Sequence, residues 1–90
     1  MQKAIITKLE DIESAGKPIC EWAAEAPKSR CAIVLAAELD GESDIDVSIR
    51  FAGQGGVLIK GISGAMTIKP DFGMLVRVAA SGILKMEEQN

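Results

Sequence analysis

Ninety residues make one small domain, and 48% apolar with 26% charged residues is ordinary for a globular chain. The net charge is −3, the ten Lys and Arg residues are scattered singly, and Trp22, Phe51 and Phe72 are the whole aromatic content. That balance argues against nucleic-acid binding, which needs a basic stripe and stacking side chains, and against an anionic membrane surface.

Residues 3–6 read as a short strand or a lead-in. Thr7 and Glu10 form a T-x-x-E pattern, the spacing of a capping box at a helix start. Leu9 and Ile12 then share a face, Gly16 reads as a C-terminal cap, and Pro18 suits the first turn of a second helical piece. Ile19, Trp22, Ala23 and Ala26 follow the i, i+3, i+4, i+7 rule, and Pro27 ends the run. The expectation is two short helices, or one helix kinked near residues 16–18.

Residues 31–39, CAIVLAAEL, are open between two readings. The β-branched Ile33 and Val34 favour a strand. The alanines and leucines, with Ser29 before and Gly41 after, permit a helix. A polar loop follows, DGESD, and then Ile45 to Phe51 alternate apolar and polar without an error, the period of a half-buried strand. Gly53, Gly55 and Gly56 read as the turn of a β-hairpin whose second strand is Val57 to Ile62.

Further strands are expected at Met66 to Lys69, at Met74 to Ala80, and at Ile83 to Met86. Pro70-Asp71 serves as a turn and Ser81-Gly82 as a break. Glu87 to Asn90 read as a frayed tail. The fold class expected is therefore α+β, a single domain over 1–90, with an N-terminal helical segment packed on an antiparallel β-meander of four to five strands. The expected core holds Ile12, Trp22, Ile33, Leu35, Ile45, Val47, Ile49, Phe51, Val57, Ile59, Ile68, Val76 and Val78. Leu58, Ile62 and Leu75 fall on the other side of such a sheet, which suggests cover by another subunit or a partner, or else a shifted register or a bulge at Gly61.

The chain has no histidine. That removes the commonest general base, Ser/His and Cys/His pairs, and most zinc sites together. Cys20 and Cys31 cannot close a tetrahedral site alone, and they read as free thiols of a cytoplasmic protein. No apolar run approaches the roughly 18 residues of a membrane span. The N-terminus also lacks the apolar centre of a secretory signal. Asp40, Glu42, Asp44 and Asp46 form an alternating acidic run that offers oxygen ligands to calcium. The EF-hand pattern fails, since from Asp40 the glycine stands second and Phe51 occupies the twelfth place, so a solvated loop is the reading preferred. The glycines 53–56 lack the lysine of a phosphate loop and are read as joining strands. Asp71-Phe72-Gly73 matches a kinase tripeptide by chance, the chain being too short for the rest of that set.

These residues predict no catalysis, no cofactor and no metal. They predict a small acidic module that binds another protein or itself, with a homodimer favoured. Its contacts would come from Trp22, the acidic residues Asp40, Glu42, Asp44 and Asp46, and Gln54 at the hairpin tip. Compact acidic proteins of this size are frequent among phages and other mobile elements, as inhibitors or regulators. The alternatives are an assembly subunit of a larger oligomer and a small-molecule or nucleotide-binding module that uses the glycine loops.

Overall fold

Three donors converge on one carboxylate where the first helix begins. In the computed structural model, which describes residues 5–88 and the side chains of residues 5–82, Asp11 Oδ2 accepts the Thr7 backbone N–H at 3.0 Å. It also accepts the Thr7 hydroxyl at 3.0 Å and the Lys8 N–H at 3.1 Å. The reciprocal partner of Thr7 is thus Asp11, one residue beyond the Glu10 expected from spacing. Helix α1 runs Leu9–Ala24. The bonds from Thr7, backbone first and hydroxyl second, hold the Asp11 carboxyl below its ordinary value of 3.8, against a smaller opposing effect of burial. A depressed folded-state value means stability that is present above the unfolded value and lost as pH falls through the folded one. Asp11→Asn is therefore expected to lower the urea midpoint at neutral pH. The difference from the parent should close as pH falls below the ordinary carboxylate value and through the depressed folded-state one. A gap that persists undiminished in acid would place the effect elsewhere.

α1 is one helix, not two. Gly16 is not its cap but a buried residue in its middle, where a Cβ would stand 3.3 Å from Val34 Cγ1. Pro18 lies inside the helix and removes one N–H from its ladder. The buried stripe is Gly16, Cys20 and Ala23, all small residues, and this lets the helix lie close on the sheet. Ile19 and Trp22, expected on that stripe, are instead half exposed. The helix runs out at Ala24, and a turn through Pro27 leads into the sheet.

Residues 31–39 resolve to a strand. β1 is Ala32–Asp40 and β2 is Asp44–Ala52, and they pair antiparallel as a two-stranded sheet. The reversal between them uses Gly41 at φ +84°, a conformation that suits glycine. Their register pairs Val34 with Arg50, Ala36 with Ser48 and Glu38 with Asp46 on one face. It pairs Ile33 with Phe51, Leu35 with Ile49, Ala37 with Val47 and Leu39 with Ile45 on the other. α1 packs on the sheet, and Ser48 is buried there.

Beyond β2 the expected strands are helices. α2 is Gly55–Ile68 and α3 is Pro70–Glu88. The four-to-five-strand meander is thus corrected to three helices and a two-stranded sheet, with two of the helices after the strands. Gln54 opens α2, its carbonyl accepting the Leu58 N–H at 2.9 Å. The partly buried residues of α2 include Val57, Leu58, Ile62, Ala65 and Met66, a helical stripe and not the two sides of a strand. Pro70 is the first residue of α3, the place where a missing N–H is harmless. Gly73 is buried, and a Cβ on it would stand 3.3 Å from both Met66 Cβ and the Met66 carbonyl oxygen, so α2 and α3 touch there backbone to backbone. Residues 81–86, expected as a break and a last strand, are helical too, and Glu87 and Glu88 extend α3. Residues 3 and 4 of the possible N-terminal strand, and 89 and 90 of the expected tail, lie outside the described residues. Ile5 and Ile6 form no strand. By their contacts the residues divide into two units, Met1–Leu58 and Ile59–Asn90.

Candidate functional site

The residues picked out in the sequence do not form one site. Trp22 sits near the end of α1, half exposed, with the Arg30 guanidinium 4.8 Å above its ring. Arg30 also donates to the Trp22 carbonyl at 3.1 Å and to Glu25 Oε2 at 3.4 Å. Gln54 lies close by in the chain path, its N–H donating to the Pro27 carbonyl at 3.1 Å. It caps a helix instead of occupying a hairpin tip. Asp40, Glu42, Asp44 and Asp46 stand at the far end of the sheet, where Asp40 faces Asp44 across the strands and Glu38 faces Asp46. A nine-residue strand separates the two groups by about 27 Å.

The acidic residues are all exposed. Like charges facing each other across strands repel. Among the described residues no three acidic, Cys or His groups are placed to hold a metal ion. Gly55 and Gly56 open a helix instead of joining strands. That withdraws one of the two arguments against a phosphate-binding loop; the missing lysine remains the other. Cys20 and Cys31 are free thiols, Cys20 on the buried stripe of α1 and Cys31 partly covered beside Gly53.

The largest feature was visible in the sequence under another description. Ile33, Leu35, Ile45, Val47, Ile49 and Phe51 were expected in the core, and every one of them is exposed, as is Leu39. Among these large side chains exposure runs from 43% at Ile33 to 72% at Leu39. The alternation of Ile45 to Phe51 is real, and it does sort the residues onto one face. The strands expected to extend the sheet are helices. α1 covers the opposite face, where Val34, Ala36, Ser48 and Ala52 are half buried or buried.

This open face carries no charge. Its eight positions, in the four facing pairs from Ile33–Phe51 to Leu39–Ile45, are all apolar. Of the other expected core residues, Ile12, Val57 and Val76 are partly buried, while Ile59, Ile68 and Val78 are exposed on the helices. There, lysine and arginine interrupt the apolar residues at Lys60, Lys69 and Arg77.

Among the described residues no helix is long and apolar enough to cross a membrane. Comparison of the chain with protein-family models, with curated proteins and with solved structures finds no match.

Proposed function

We propose that this chain is a small non-enzymatic module that works by binding another protein or itself. The observation that supports this reading is the open, uncharged face of β1 and β2. An isolated two-stranded sheet is marginal in water and is stabilised by packing against a helix. Here one face is packed by α1 and the other is wet. Exposed apolar patches of this kind mark interaction surfaces in soluble proteins. The free thiols Cys20 and Cys31 fit a reducing, cytoplasmic setting. The chemistry of the chain points the same way, since a protein without histidine lacks the usual proton-transfer group.

An affinity pull-down of the tagged protein from lysate of its own source tests the reading, with light scattering on the eluate. The expected result is either one stoichiometric protein partner or a defined homo-oligomer. A monomer that elutes alone at every concentration would sink the reading.

A further inference from the structure

We draw no further inference here: the strongest candidate, the open apolar face of β1 and β2, carries none, because nothing in the structure shows what covers it.

Discussion

Gly53→Ala is expected to destabilise the protein by about 3 kcal/mol or more, a large share of the stability of a small domain. Gly53 lies directly after β2, where the chain leaves the sheet to start α2, and its φ is +120°. That value is poor for any L side chain. A methyl group there would also stand 2.7 Å from the Arg30 carbonyl oxygen and 2.9 Å from Cys31 Cβ. The carbonyl is backbone and adjoins β1, so it cannot move aside without disturbing the start of the sheet. Gly41→Ala is the internal control. Gly41 also has positive φ, at +84°, but nothing lies within 4 Å of its would-be Cβ. It should cost about 1 kcal/mol, the conformational term alone. Urea unfolding of both variants separates the two effects. Equal losses would show that the close approach of Gly53 to Arg30 contributes nothing.

Ala23→Asp is expected to be comparably severe, with a loss of about 3–5 kcal/mol at neutral pH. Ala23 has 0% of its surface exposed, on the small-residue face of α1. A carboxylate at that position is desolvated. Arg30, the cation nearest the end of the helix, is already held by Glu25 and the Trp22 ring. Burial raises the pKa of such a group in the folded state. The penalty is then greatest above the raised folded value and shrinks as pH falls toward the unfolded value near about 4. Ala23→Ser, which adds a neutral group, should cost about 1–3 kcal/mol and show no such pH dependence. Denaturant titrations of both variants at pH 7 and pH 4.5 check this. A pH-independent loss for Ala23→Asp would mean that the position is wet.

Much of the local structure was legible in the residues, and the failures have physical causes. The strand over Asp44–Ala52 follows from a pattern that admits one reading, while the pattern behind the helix Leu9–Ala24 also allowed two short helices. What misled was the continuous apolar run from Val57 to Ile62. Such a run satisfies a buried strand and a buried helix alike, and only the stripe of Leu58, Ile62, Ala65 and Met66 separates them. Gly55 and Gly56 tipped that choice toward a hairpin, because glycine pairs usually mark turns and here they begin a helix. Met74 to Ala80 alternates only weakly, since Leu75 and Ala79 interrupt the pattern, and its Met, Leu, Arg and Ala residues are good helix formers. Once two helices took the place of strands, the residues of Ile33 to Phe51 lost the sheet that would have buried them. Their positions on one face were therefore legible, while their exposure was not, because alternation reports which side a residue faces and is silent on what lies there. The acidic run and Trp22 stand at opposite ends of the sheet, a separation that depends on β1 and β2 pairing over their whole length.

Trp22 gives the two units of this chain different optical signatures. It is the lone tryptophan in a chain without tyrosine, it lies in the unit Met1–Leu58, and a cation rests on its ring. Its emission therefore follows the melting of α1 and the Arg30 contact, while α3 and most of α2 contribute no fluorophore beyond Phe72. Far-ultraviolet circular dichroism, by contrast, is weighted toward helix from both units. Followed together through a thermal ramp, coincident curves would mean that the units melt as one cooperative body. A dichroism curve that falls before the fluorescence would instead identify the helical pair as a separately melting element.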